Sequence, residues 1–143
     1  MIAVGCDHAG FSLKKKITEY LAANGLEYND LGCLTAEAVD YPVIARSVAG
    51  AVTSGECEKG ILVCGSGIGV SIAANKCRGI RAALCGDTFS AKVARQHNDA
   101  NILAIGERVT GAGLALDIVA MFLATPFSDD IRHIQRIEMI EED

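Results

Sequence analysis

Short apolar runs alternate along this chain with longer stretches in which apolar residues recur every three or four positions. Residues 2–5 form the first run, and residues 11–24 follow with Leu13, Ile17, Tyr20 and Leu21 on one helical face, closed by Asn24 and Gly25. A second strand is predicted at 27–31. Asp40 then precedes a helical pattern over 41–53, with Pro42 in the first turn, where its missing N–H leaves no bond unmade. Residues 60–64, Gly-Ile-Leu-Val-Cys, are continuously apolar, as expected of a strand buried on both faces, and glycines follow at once. A helix over 68–75, a strand at 82–85, a helix from 87 or 88 to 97 and a strand at 102–106 continue the alternation, and helices over 110–124 and 132–141 complete it. Strands alternating with helices of this length predict right-handed β-α-β crossovers. The expected fold is α/β, a three-layer αβα Rossmann-like sandwich with a five-stranded parallel sheet, and residues 1–143 are read as one domain. Ligands in such sheets bind at the loops leaving the carboxyl ends of the strands.

Composition narrows the function classes. The 143 residues are 50% hydrophobic and 22% charged, with 15 Gly, 2 Pro and no stretch biased enough to act as a linker. A net charge of −5 argues against a nucleic-acid partner, which would need a basic face to displace counterions. Small anions depend instead on local arginines and helix N-termini. Without a signal-like apolar segment or a membrane-length run, the expected setting is the cytoplasm, with no membrane contact. The six cysteines, at 6, 33, 57, 64, 77 and 85, are then reduced thiols. They form no CxxC pair, and the three histidines show no HxxxH spacing, so no metal site is expected.

Sorting residues by sheet edge organises the candidate chemistry. Asp7, His8, Cys64 to Gly69, Asp87 and Arg108 follow strands and belong at the carboxyl edge, as do Asp40 and Tyr41 at the start of a helix. The segment Cys64-Gly65-Ser66-Gly67-Ile68-Gly69 has the form of an anion cradle, with backbone N–H groups leading into a helix N-terminus. The same glycines would also serve a plain tight turn. The dinucleotide fingerprint G-x-G-x-x-G is not met, because Val70 stands where its third glycine belongs; Asp87, about 20 residues on, is where a ribose-binding acid would lie. A non-catalytic nucleotide- or sugar-phosphate-binding module is therefore the competing class.

Cys64 occupies a strand end beside the first turn of a helix, which suits a base or nucleophile, although cysteine is also a common buried hydrophobe. Cys6 has a similar location, and the anion cradle favours Cys64. His97 and Asn98 precede a strand and so lie at the opposite edge, about 15 Å from Cys64 across a five-residue strand. If both act on one small substrate, a second subunit must supply one of them; otherwise His97 simply faces the C-terminal dipole of its helix. Arg132 and Arg136 share one face of the last helix and could hold a phosphate, or pair with Asp129, Asp130 or Glu138. The acidic tail, residues 141–143, reads as solvated surface.

Taken together, Gly5-Cys-Asp-His-Ala-Gly10, Asp40-Tyr-Pro42, Cys64 to Gly69, Ser71-Ile-Ala-Ala-Asn-Lys76, Arg95-Gln-His-Asn-Asp99 and Arg132-His-x-x-Arg136 resemble the type B ribose-5-phosphate isomerases. That family includes allose-6-phosphate and galactose-6-phosphate isomerases. The resemblance spans essentially the whole chain, in order. It implies a cofactor-independent aldose–ketose isomerase of ribose 5-phosphate and ribulose 5-phosphate, with allose 6-phosphate as a further substrate. Cys64 would move a proton between C1 and C2, and the N–H groups of residues 65–69 would stabilise the enediolate oxygen. Ser66 matches a hydroxyl position often filled by Thr. His97 would open the furanose ring, Asn98 would hold sugar oxygens, His8, Arg108, Arg132 and Arg136 match phosphate ligands, and Asp7 and Tyr41 match sugar contacts. The family implies a homodimer or homotetramer with sites shared between subunits and the last helix at the interface. The galactose-6-phosphate branch lacks a cysteine at the position of Cys64, which points away from that substrate. Ile131 stands where the family tail commonly has glycine, so the aim of Arg132 turns on the backbone there.

Overall fold

The computed structural model describes residues 1–142. Asp143, the last residue of the acidic tail, lies outside the described residues. Five parallel strands, β1 (Ile2–Cys6), β2 (Tyr28–Asp30), β3 (Lys59–Cys64), β4 (Ala82–Leu84) and β5 (Ile102–Gly106), form one sheet in the order β2-β1-β3-β5-β4. The helices are α1 (Phe11–Ala23), α2 (Tyr41–Thr53), α3 (Ile68–Asn75), α4 (Thr88–Asn98), α5 (Ala112–Ala124) and α6 (Ile131–Glu141).

Alternation along the central strands divides the core between two faces. In β3, Ile61 and Val63 join the cluster under α1, α4 and α5, while Leu62 and Cys64 join the one under α2 and α3; β5 divides in the same way. The side on which each connecting helix lies changes whenever strand progression changes direction, as a constant crossover hand requires. Gly5 and Gly60 let α2 approach closely, since a Cβ on either would come within 2.8 Å of Val48 methyls.

The differences from the pattern-based expectations are local. β1 extends through Cys6, and His8–Gly10 forms a 3-10 turn that the periodicity did not reveal. It is nucleated by Asp7, whose carboxylate accepts the N–H groups of Ala9 and Gly10. Helix α5 starts at Ala112 rather than 110, because the N–H groups of Val109 and Thr110 turn back onto the Gly106 carbonyl. Asp40 precedes α2 as expected, but its side chain makes no capping bond.

Candidate active site

The loops leaving β1, β3 and β5 interlock at the carboxyl edge. Beyond Cys64 the chain turns through Gly67, whose φ of 78° is left-handed, and enters α3. The Gly67 N–H donates to Cys64 Sγ at 3.1 Å, and the Ile68 N–H donates to the Ser66 hydroxyl at 3.1 Å. The turn is stitched to the β5 exit by Glu107 N–H to the Cys64 carbonyl, 2.9 Å, and Arg108 N–H to the Gly65 carbonyl, 3.0 Å. A Cβ on Gly65 would lie 3.4 Å from an Arg108 guanidinium nitrogen, and one on Gly69 would strike the Tyr41 ring at 2.6 Å. Arg108 and Tyr41 therefore flank the glycine turn. Asp7 N–H donates to the Val63 carbonyl, which brings Asp7 and His8 to the same edge, and His8 Nδ1 accepts the Val39 N–H at 3.4 Å.

The two cysteines with equal claims by position are separated by their surroundings. Cys6 is wholly buried, 3.7 Å from Cys33 Sγ, and its thiol is pushed up to about 12 by burial and then by Cys33. Cys64 has a backbone donor on its sulfur and a helix N-terminus beyond it, although only 5% of its surface is exposed. Asp87, the acid that a nucleotide site would have used, caps α4 instead: its carboxylate accepts the Ser90 N–H and hydroxyl, which hold it below its ordinary value.

The opposite edge carries the other candidates. His97 and Asn98 are exposed at the end of α4, and the His97 ring lies 4.4 Å from that of His133 on α6. Asp99, left-handed at φ 44°, closes α4. Arg132 pairs with Asp130, 3.0 Å, which holds that carboxyl well below the usual range, while Arg136 is exposed one turn further along α6. The left-handed residue before α6 is Asp129, φ 56°, and Ile131 is already helical, so the position needs no glycine. The register pairs Gly60 with Ile102 and Cys64 with Gly106, leaving the His97 side of the sheet about 13 Å from Cys64 along the strands. A cavity of 290 Å³ adjoins the glycine turn, lined by Ser66, Ile68, Leu84, Val109 and neighbours, and one of 590 Å³ lies at the far edge beside Asn98 and Arg81. Neither is lined by Cys64 or His97.

Two residues carried no clear signal in the sequence. Glu107 accepts the Leu13 N–H and so binds the β5 exit to α1; only its place after a strand hints at it. Arg81 spans the ends of α4 and α6. Among the described residues, no group of three or more His, Cys, Asp or Glu is arranged to hold a metal ion, and no helix is long and apolar enough to cross a membrane.

The sequence model of the family described as Ribose/Galactose Isomerase matches residues 2–140. The chain belongs to that family. It is 50% identical over 139 residues to the ribose-5-phosphate isomerase B of Escherichia coli K12, covering 97% of this chain and 93% of that protein. It is 46% identical over 127 residues to a D-erythrulose-4-phosphate isomerase of Pectobacterium atrosepticum, covering 88% and 84%. Among solved structures, a ribose 5-phosphate isomerase of Thermotoga maritima superposes with a TM-score of 0.97 at 50% identity, over 99% of this chain and 97% of that one. The family fold is thus the α/β sheet described above.

Proposed function

We propose that this member of the family is a sugar-phosphate isomerase interconverting ribose 5-phosphate and ribulose 5-phosphate. The observation that carries the reading is the Cys64 sulfur held against the Gly67 N–H inside the glycine turn, in a chain half identical to the Escherichia coli ribose-5-phosphate isomerase. Cys64 takes the C2 proton of the open-chain aldose and returns a proton to C1, while the C1 carbonyl oxygen collects negative charge and takes up the proton that the C2 hydroxyl gives up on becoming the ketose carbonyl. Amide groups of residues 65–69 and the Ser66 hydroxyl are the donors for that charge. Asp7 and Tyr41 contact the sugar, and His8 and Arg108 reach its phosphate.

Ring opening belongs to His97, which takes the anomeric hydroxyl proton and delivers one to the ring oxygen, with Asn98 beside it. Because His97, Asn98, Arg132 and Arg136 sit at the other sheet edge, they serve the site of a second subunit. Exposed apolar residues beside the turn, Ile68, Leu84, Phe89 and Val109, support such an association, as does α6, none of whose residues is buried. Six free cysteines support a cytoplasmic setting.

Purified protein incubated with ribose 5-phosphate and EDTA should form ribulose 5-phosphate, and Cys64→Ala should abolish turnover while leaving substrate binding measurable. Absence of ketose from the wild-type protein would overturn the reading; an active Cys64→Ala protein would remove Cys64 as the base. Allose 6-phosphate is the second substrate to assay. Mixed assemblies of Cys64→Ala and His97→Ala subunits should regain part of the activity through one intact composite pocket, and no recovery in verified mixed dimers would refute the shared site.

A further inference from the structure

We propose that Arg81 is a positioning residue for the second-subunit half of the site, which rests on the isomerase reading above. Arg81 lies just before β4, and its side chain is 18% exposed. Its guanidinium makes hydrogen bonds to three different acceptors and lies 3.7 Å from the Asp99 carboxylate. Nε donates to the Asn98 carbonyl at 2.9 Å, Nη2 to the Asp99 carbonyl at 3.0 Å, and Nη1 to the Glu141 carboxylate at 2.6 Å. The residue is itself fixed by Asn101, whose side-chain oxygen accepts the Arg81 N–H at 2.9 Å and whose N–H donates to the Arg81 carbonyl at 3.0 Å. One rigid fork therefore joins the carbonyl end of α4, which carries His97 and Asn98, to the last residue of α6, which carries Arg132 and Arg136.

The need for such a clip follows from how α6 is held. None of its residues is buried, so core packing does not fix its direction. Near its beginning it meets α4 through the His97–His133 ring contact and through Ser128, which holds both the Gln96 carbonyl and His133, and its end is joined to α4 through Arg81 by the Glu141 ion pair. With the second link cut, α6 can pivot about the first and carry its arginines away from the phosphate. The end of α4 loses a cation from its C-terminal carbonyls, beside His97. It does not lose its closure, because Arg95 separately holds the Asp99 carboxylate at 2.8 Å and the Ala100 carbonyl at 2.6 Å. A lysine could reach one of the three acceptors but could not span them, since an ammonium lacks the planar fork. Cys64 and the glycine turn, at the opposite edge, are untouched.

Two reactions separate this role from a general structural one. Isomerisation of ribose 5-phosphate draws on ring opening. Exchange of a C1 hydrogen of ribulose 5-phosphate with deuterium from the solvent does not, because that ketose has its C5 oxygen esterified and stays acyclic; Cys64 takes the proton, exchanges it and returns a deuteron. In Arg81→Gln we expect the isomerisation kcat to fall about 10- to 100-fold, the size of a loss from misplaced catalytic groups. Deuterium exchange at saturating ketose should stay within about twofold of wild type. Arg81→Lys should recover only part of the isomerisation rate. Glu141→Ala, which removes the acceptor on α6 and leaves both bonds to the α4 end in place, should raise KM severalfold with kcat retained. Isomerisation by Arg81→Gln within twofold of wild type, or an equal loss of both reactions at an unchanged melting temperature, would overturn the proposal. Should Arg81→Gln not fold, Glu141→Ala decides, and an unchanged KM counts against it. A wild-type protein that makes no ketose would sink the isomerase reading instead.

Discussion

Replacing Gly106 with alanine tests how tightly the glycine turn must be held. Gly106 ends β5 directly across from Cys64 in the register. A Cβ there would lie 2.5 Å from both the carbonyl carbon and oxygen of Ser66 and 2.9 Å from its Cα, against an ordinary contact of 3.4 Å or more. The obstacle is backbone, so no side-chain rotation relieves it. Gly106 cannot easily retreat, because its carbonyl accepts both the Val109 and Thr110 N–H groups, at 3.2 and 2.9 Å. The turn has to move by roughly 1 Å, and a displacement of that size at a reacting centre costs about 100-fold in rate. The overpacking itself should cost about 1–3 kcal/mol of stability, at about 3–4 °C in melting temperature per kcal/mol. Steady-state isomerisation of ribose 5-phosphate and thermal unfolding measure the two effects. Gly111→Ala is the control, since a Cβ there meets nothing within 4 Å and its φ of −63° suits alanine. If Gly106→Ala keeps kcat/KM within threefold of wild type at an unchanged melting temperature, the turn is not braced against β5 in the way argued.

Gly50, exposed in the interior of α2 with nothing within 4 Å of where a methyl group would stand, should tolerate alanine with a gain of about 0.5–1 kcal/mol. A lowered melting temperature for Gly50→Ala would instead mean that another surface packs on that side of α2. Alkaline stability should reveal the buried thiols: burial raises Cys85 from 9.0 to about 11 and Cys6 from 9.0 to about 12. The unfolded chain gives up these protons first, so the stability they contribute is intact below about pH 9 and declines as pH rises toward 11 and 12. Denaturant titrations from pH 8 to 11 should show that decline, shallower in Cys85→Ala; identical slopes in the two proteins would refute the assignment to Cys85.

Nearly the whole fold was legible because every central strand is apolar on both faces and every helix is punctuated by a cap, a proline or a glycine. Gly60 to Cys64 identified itself as a central strand, and Pro42 marked the start of α2. The order of the strands was not legible, since hydrophobicity says nothing about β5 lying between β3 and β4. The sheet edge of each candidate was legible, and with it the separation of His97 from Cys64. The links of Glu107 to α1 and of Arg81 to α4 and α6 were not, because they join residues 94, 17, 18 and 60 positions apart through single polar bonds that leave no periodic trace. Paired arginines suggested a phosphate grip, whereas in the isolated chain Arg132 leans on Asp130. A substrate phosphate would therefore compete with a local carboxylate for that guanidinium, and the exposure of both groups makes the exchange inexpensive.

Cys6 and Cys64 show why residue type and strand position alone did not assign the chemistry. Both end parallel strands at the same edge, but alternation sends Cys6 to the face under α1 and α5, and Cys64 to the face under α2 and α3. On the first face a second thiol, Cys33, and full burial keep the sulfur protonated. On the second face the chain leaves the strand through a glycine turn that folds back far enough to aim the Gly67 N–H at the sulfur. Gly67 can do this because its left-handed backbone carries no Cβ; one there would lie 2.5 Å from Leu84 Cδ1 and 2.9 Å from the Ile105 carbonyl carbon. On the isomerase reading proposed above, the turn after the strand decides which cysteine serves: the same thiol is filling where Asp7 caps a 3-10 turn beyond it, and the proposed base where a glycine turn bends over it.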